Sequence, residues 1–242
     1  MAAQIVVIAH RGEHLSHPEN TLSAFQGAID AGADFFELDV RTTLDGKLVL
    51  MHDRTVERTT NGKGAVREMT FEQVHALDAG VKFSPKFAGE KVPTFEEALQ
   101  LAHGQIGVYV DCKDIAPADL VAALKKADMG GRAVIYGGGH FLKEVLDLDG
   151  SLKAMPEAEN AATMEKLAAS LKLRVAAFDA GDFKDDVIAA ARKANAEIYV
   201  DRLGPADDPQ HWQDAIDRGA VGIQTNKPGE LVQYLRVRGL HR

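Results

Sequence analysis

The residues able to do chemistry in this chain stand at the ends of apolar runs. Ile5–Ala9 leads into His10-Arg11-Gly12, Phe35-Phe36 into Glu37-Leu38-Asp39, and Leu48–Met51 into His52-Asp53. A buried strand has no use for charged groups, because an unpaired charge is costly to desolvate. Three such ends between Ile8 and Asp53 point to one shared site. Side chains alternate along a strand, so Glu37 and Asp39 face one way and Leu38 the other. Two carboxylates this close repel unless something positive neutralises them. A metal ion is one such partner, and an arginine such as Arg41 is another. The two strand-terminal histidines beside the acidic pair favour the metal. Histidine suits proton transfer because its unperturbed pKa lies near neutrality. One of His10 and His52 would take a proton and the other give one, in an order the sequence leaves open. His14 and His17 read as residues of the surrounding rim.

A fourth run, Gln105–Asp114, repeats the pattern. Ile106, Val108 and Val110 alternate with Gly107, Tyr109, Asp111 and Lys113, so Asp111 and Lys113 share a face at a strand end. Cys112 points the other way, toward a strand–helix layer. Asp111 then becomes a third ligand beside Glu37 and Asp39, unless it and Lys113 simply sit exposed in a capping loop. An oxygen-only set of this kind suits Mg2+ or Ca2+ better than zinc.

The elements that must position these groups alternate strand with helix, the signature of parallel βα units. The 242 residues fit one α/β domain, a TIM-type (β/α)8 barrel over residues 1–242. Strand candidates are Ile5–Ala9, the run carrying Glu37 and Asp39, Leu48–Met51, Gln105–Asp114, Ala133–Tyr136, Leu152–Met155, Val175–Phe178, Glu197–Val200 and Val221–Gln224. That is one more than eight barrel places, so one must lie outside. The connection Val40–Lys47 is too short for a crossover helix. It is either a hairpin or an extended return that keeps the strands parallel, and the return is the form expected to put Glu37, Asp39 and His52 at one rim.

Residues 54–90 have poor periodicity and one short helix near Phe71–Leu77, and read as an insertion over the barrel mouth after the third strand. Asn20 or Thr21 caps a helix ending at Gly32, and Thr94 caps one running to Ala102. Further helices are expected near Phe141–Leu146, Ala161–Leu171, Asp185–Ala194, Pro209–Asp217 and Gly229–Val237. Gly137-Gly138-Gly139 lacks the P-loop lysine pattern and reads as a flexible turn. Glu157 follows a strand directly, as does Asp179, at the rim where barrels keep catalytic groups. Glu157 is therefore placed either to join the metal or to bind substrate hydroxyls.

The blocks His10-Arg11-Gly12, Pro18-Glu19-Asn20-Thr21, Ala28 to Asp34, Glu37 to Val40, Thr43-Leu44-Asp45-Gly46, His52-Asp53 and Arg58-Thr59-Thr60 follow one another in a specific order. In that order they resemble the glycerophosphodiester phosphodiesterase family, within the wider superfamily of phosphatidylinositol-specific phospholipase C-like barrels. Weaker resemblance covers Val92 to Glu97 and Gly219 to Pro228. It is weakest from about Val134 to Asp217. The resemblance implies metal-dependent hydrolysis of a small-molecule glycerophosphodiester to glycerol 3-phosphate and an alcohol. His10 and His52 would be the acid–base pair, and one divalent cation, Mg2+ or Ca2+, would sit on Glu37, Asp39 and Asp111. Arg11 and Lys113 would neutralise the phosphate, and Glu157 would serve the substrate.

Two departures stand out. The family usually has Glu-x-Lys where this chain has Asp111-Cys112-Lys113, a form seen in related sphingomyelinase D-type enzymes. It often has a tryptophan near the end of the next-to-last strand, where Tyr199 is the expected replacement. The alternatives are a phospholipase D- or sphingomyelinase D-like lyase on lysophospholipids, with Phe83 and Phe87 as an apolar rim, and a silent barrel that binds a phosphorylated ligand.

Composition narrows the classes further. A net charge of −8 speaks against non-specific nucleic-acid binding. The single cysteine, Cys112, rules out an intrachain disulfide and is compatible with a reducing compartment. No apolar run approaches the roughly 20 residues that span a bilayer. No signal peptide precedes the first strand at Ile5. The expectation is a cytoplasmic enzyme with no integral membrane segment, a removed leader being left open. Head group and oligomeric state are not legible.

Overall fold

The computed structural model describes residues 4–242. In chain order the elements are β1 (Val6–Ala9), α1 (Leu22–Asp30), β2 (Phe35–Thr42), β3 (Leu48–Leu50), α2 (Phe71–His75) and α3 (Phe95–Ala102). They continue with β4 (Gly107–Asp114), α4 (Pro117–Lys126), β5 (Ala133–Tyr136), α5 (Gly139–Leu148), β6 (Lys153–Met155) and α6 (Ala161–Ser170). The last are β7 (Val175–Phe178), α7 (Asp185–Lys193), β8 (Glu197–Arg202), α8 (Pro209–Asp217), β9 (Gly222–Thr225) and α9 (Pro228–Val237).

Eight parallel strands run in the order β6-β5-β4-β2-β1-β9-β8-β7. The two ends of this sheet meet where Ala158 N–H donates to Ala177 O at 2.8 Å and Ala177 N–H to Pro156 O at 3.0 Å. The result is a nearly closed TIM-type barrel ringed by helices. The outward-facing Phe36, Leu38, Val108, Val110 and Ile135 pack under the helices with Phe25, Phe95 and Leu99. On the other half, Val200 and Ile223 pack against Trp212, Leu231 and Leu235. Inside the barrel, Ile8, Tyr109, Val134, Met155, Val175 and Tyr199 fill the layer beneath the rim, as barrels of this size require.

Close packing in that layer needs a small residue opposite a large one. A Cβ added at Gly222 would lie 2.5 Å from Tyr199 Cδ1. Gly222→Ala is expected to cost about 1–3 kcal/mol through overpacking, lowering the melting temperature by roughly 2–12 °C for a chain of this length. A thermal melt with no shift would show that Tyr199 yields freely.

The structure corrects the expected path between the second and third strands. β3 pairs antiparallel with β2, with Val40 opposite Leu50 and Thr42 opposite Leu48. The hairpin takes β2 past the rim and folds back, so β3 is the strand outside the barrel. This still delivers His52: Met51 N–H donates to Asp39 O at 3.0 Å, and His52 follows at the level of the acidic pair. A parallel return was not needed, because an overshooting strand and a tight turn reach the same rim.

After β3, Val56, Val66, Val74 and Ala79 form a small core of their own with Val49, Met51 and Val92. Helix α4 has no counterpart among the expected elements. Pro117 at its first turn and the stripe Leu120, Val121, Leu124 account for it. Of the two residues proposed to cap α1, Thr21 does so, accepting from Ala24 N–H.

Candidate active site

His10, Arg11, Glu37, Asp39, His52, Asp111, Lys113 and Glu157 all line one cavity at the C-terminal rim, together with Tyr109, Tyr136, Asp201 and Gln224. β2 and β4 pair with Asp39 opposite Asp111, so the two inward carboxylates lie side by side. Carboxylate oxygens of Glu37, Asp39 and Asp111 all fall within 4.8 Å of one another. Glu37 is 2% exposed and Asp39 1%. Burial, then Asp39 and Asp111, push the Glu37 carboxyl well above the usual carboxylate range. Burial and Asp39 likewise raise Asp111. Three oxygen donors held together at that cost fit a hard divalent cation, and the shorter Asp111 takes its place among them.

Arg41 does not neutralise the acids. Its Nη2 donates to His52 O at 2.6 Å and its Nε to Met51 O at 3.1 Å, so it fastens the end of the hairpin. Lys113 is the extra residue where the β2–β4 register shifts, Val40 facing Cys112 and Arg41 facing Asp114. The bulge lets Lys113 Nζ reach Asp111 Oδ2 at 2.6 Å and Asp39 Oδ1 at 3.3 Å. Those two carboxylates raise its pKa against the opposing effect of burial.

Arg11 sits at φ 53, a left-handed conformation uncommon outside glycine. Gly12 follows at φ 82, and a Cβ there would meet Ala24 at 2.7 Å. This turn aims Arg11 N–H at Glu37 Oε2, 2.7 Å away. The guanidinium lies along the acids: Nη1 pairs with Glu19 at 3.1 Å, Nε is 3.7 Å from Asp39 Oδ2, and Nε is buried with no hydrogen-bond partner among the described residues.

The histidines are each held by Nδ1. His10 Nδ1 is 2.8 Å from Asn226 Oδ1, and His52 Nδ1 is 2.8 Å from Asp53 Oδ1. Both therefore keep Nε2 for the cavity. Burial, then Arg11, lower His10 to about 4. Arg58 holds Asp53 well below the usual carboxylate range and also bridges to Glu19 at 2.7 Å. His14 belongs to the rim, its ring edge-on to His10 at 5.4 Å.

Glu157 lines the cavity outside the triad and groups with Asp179 and Asp182, which leaves the substrate side of its two readings open. One reading needs correction. Tyr199 is 5% exposed in the packed layer beneath the rim, and Asp201, two residues on, is the side chain of β8 that reaches the cavity.

Sequence reasoning missed the supporting residues. Asn20 donates to Asp39 Oδ2 at 2.7 Å and accepts from Asp39 N–H at 3.0 Å, again from a left-handed backbone at φ 56. Asp207 accepts from Asn226 N–H at 2.7 Å and Thr225 Oγ1 at 2.6 Å, and so fixes the partner of His10. Asn20 stood inside a quoted block, but its role depends on contacts no spacing reveals.

A parallel barrel that gathers two tethered histidines, a carboxylate triad and flanking cations at its C-terminal rim holds the groups that cleavage of a phosphoric diester calls for. The profile of the glycerophosphoryl diester phosphodiesterase family matches residues 10–136. A glycerophosphodiester phosphodiesterase of Caldanaerobacter subterraneus subsp. tengcongensis is 34% identical over 97% of this chain and 99% of its own length. The chain belongs to the glycerophosphoryl diester phosphodiesterase family.

Solved structures agree in fold. The crystal structure of a glycerophosphodiester phosphodiesterase from Agrobacterium tumefaciens matches with a TM-score of 0.84 at 29% identity, covering 93% of this chain and 98% of that one. A phosphodiesterase from Oleispira antarctica, solved with the product sn-glycerol-3-phosphate, matches at 0.84 and 21% identity over 96% of both chains. Among the described residues no helix is long and apolar enough to cross a membrane.

Proposed function

We propose that this enzyme hydrolyses glycerophosphodiesters to glycerol 3-phosphate and an alcohol, using His10 and His52 as its proton-transfer pair. The observation that carries this reading is the meeting of both histidines, the triad and both cations in one cavity. A divalent cation, Mg2+ or Ca2+, held by Glu37, Asp39 and Asp111 would polarise a phosphoryl oxygen and offset the charge of the diester. Lys113 supplies a point charge, and Arg11 a planar fork, for the other phosphate oxygens.

The electrostatics divide the labour of the histidines. His10, lowered to about 4, is neutral at pH 7. With its Nδ1 proton given to Asn226 Oδ1, it presents a lone pair on Nε2 and acts as the base. His52, its Nδ1 held by the Asp53 carboxylate, keeps Nε2 for the cavity and is left to act as the acid. His10 takes a proton from the attacking water, the new P–O bond forms, and the P–O bond to the alcohol breaks as His52 protonates that oxygen, leaving glycerol 3-phosphate. Residues 54–90 would close one side of the mouth, their Arg58 tying Asp53 to Glu19.

The test is release of glycerol 3-phosphate from a mixed glycerophosphodiester panel with EDTA, Mg2+ or Ca2+. Metal-dependent release is expected. Turnover that is undiminished after exhaustive chelation would overturn the metal's role, and no release from any diester would overturn the reaction.

A further inference from the structure

Opposite the triad, the same cavity has a second polar wall. Asp201 on β8 and Gln224 on β9 are register partners, so their inward side chains are neighbours. Gln224 is 5% exposed, lines the cavity, and has an Oε1 that is buried with no hydrogen-bond partner among the described residues. A buried polar atom left unpaired is costly. A half-turn of the amide about its last torsion brings this oxygen round to the cavity, where a donor on a ligand can pair it. The Asp201 carboxyl also accepts no hydrogen bond among the described residues, and burial, then Glu157 and Asp179, push it up to about 8, so near neutral pH it ionises fully only when a cation comes to lie beside it.

The charges are unbalanced on this wall. Glu37, Asp39 and Asp111 have Arg11 and Lys113 beside them, whereas Glu157 and Asp201 form no ion pair among the described residues. Glu157 accepts instead from Tyr136 Oη and from Asp179 N–H. Asp179 and Asp182 add their negative field behind it. This group is not an open ligand set for a second metal ion. Asp179 Oδ1 is already engaged by Gly181 N–H at 2.6 Å and Asp182 N–H at 2.8 Å, and Tyr136 holds a Glu157 oxygen.

We propose that Asp201, Gln224 and Glu157 form a subsite for a primary ammonium group, so that the enzyme prefers phosphodiesters of an amino alcohol such as glycerophosphoethanolamine. This rests on the phosphodiesterase reading above and names its substrate class. The wall offers acceptors and carboxyl groups that lack a cation to hold them ionised. A primary ammonium brings three N–H donors and a positive charge to meet both. A quaternary ammonium brings the charge with no donor, and a neutral diol brings donors with no charge. Each satisfies only half of the wall.

The experiment compares kcat/KM for glycerophosphoethanolamine, glycerophosphocholine and glycerophosphoglycerol with the metal-loaded enzyme. It includes Asp201→Asn, which keeps shape and removes charge, and Gln224→Leu, with a thermal melt of each. The wild type is expected to prefer the ethanolamine diester at least tenfold over the other two. Asp201→Asn is expected to shrink that ratio at least tenfold, mainly through KM. Gln224→Leu should shrink it about threefold to tenfold. An equal fall on all three substrates, or a ratio that does not move, overturns the ammonium assignment. A choline preference equal to that for ethanolamine overturns the primary-amine part.

Calorimetry with O-phosphoethanolamine against propyl phosphate separates this proposal from the reaction itself. If no diester is cleaved yet phosphoethanolamine binds at least tenfold tighter, the subsite stands and the turnover reading fails. Equal binding of the two overturns the subsite whatever the enzyme cleaves.

Discussion

Glu37→Gln is expected to raise the melting temperature of the metal-free protein while abolishing both the stabilisation by metal and turnover. Glu37 is 2% exposed, and its carboxyl is pushed up first by burial, then by Asp39 and Asp111. A carboxyl whose folded pKa exceeds its unfolded one binds a proton more readily in the folded state. Its cost to stability is absent below the unfolded value, grows as pH rises, and is complete above the folded value. Above the unfolded value the metal-free fold therefore bears either the repulsion among close carboxylates or the cost of keeping a proton on Glu37. Glutamine keeps the shape and can still accept from Arg11 N–H, the 2.7 Å contact, without the charge. Relief of about 1–2 kcal/mol corresponds to roughly 2–8 °C in a chain of this length.

The wild type should recover that loss when loaded. A ligand at a hundred times its Kd adds about 2.7 kcal/mol, which corresponds to roughly 5–11 °C. The variant, with one of three ligands neutral, should lose most of that increment and at least about a thousandfold in kcat/KM, a few kcal/mol of transition-state stabilisation. Differential scanning calorimetry with EDTA and with saturating Mg2+ or Ca2+ reads both effects. A metal-free variant that melts lower than wild type, or one whose metal increment is intact, would show that Glu37 is not the strained ligand described.

How much of this was legible in the sequence follows from what sequence patterns encode. Strand alternation is local, so the inward facing of Glu37, Asp39 and Asp111 could be read directly. The packing of Leu38 and Val110 on the outer side agrees with it. The barrel was legible because its βα repeat is also local, the missed α4 notwithstanding. Hand-over between non-adjacent segments is not local. The hairpin of β2 and β3 and a parallel return differ only in the path of a five-residue turn, and both deliver His52 to Asp39. Tyr199 stands near the end of its strand, where the family resemblance expects an aromatic. Its pairing with Gly222 places it one layer down and leaves Asp201 at the top beside Gln224. Asn226 holds His10 across most of the chain's length, a contact that only the closed barrel creates.

The two histidines should separate in their response to the leaving group, and this is the larger test of the mechanism. Removing either general catalyst is expected to lower kcat by about 10²–10⁴-fold on a natural glycerophosphodiester. A p-nitrophenyl phosphodiester leaves as a stable phenolate and needs no proton. With that substrate His52→Ala should recover to within about tenfold of the wild type, because the acid has become dispensable. His10→Ala should recover nothing, because the nucleophile still has to lose its proton.

The pH profile gives an independent reading. His10 is lowered to about 4, first by burial and then by Arg11. A base with a lowered pKa stays unprotonated further into acid, so the limb that it sets in kcat/KM lies below the ordinary histidine range. Fold stability changes with the same sign. The unfolded chain gains the imidazole proton near pH 6.5 and the folded one only near 4, so this histidine's contribution is complete above 6.5 and declines as the pH falls toward 4. Rescue of His10→Ala in place of His52→Ala by the activated substrate would reverse the assignment. Rescue of neither, with kcat losses below about tenfold, would remove both histidines from proton transfer and leave them as walls of the cavity.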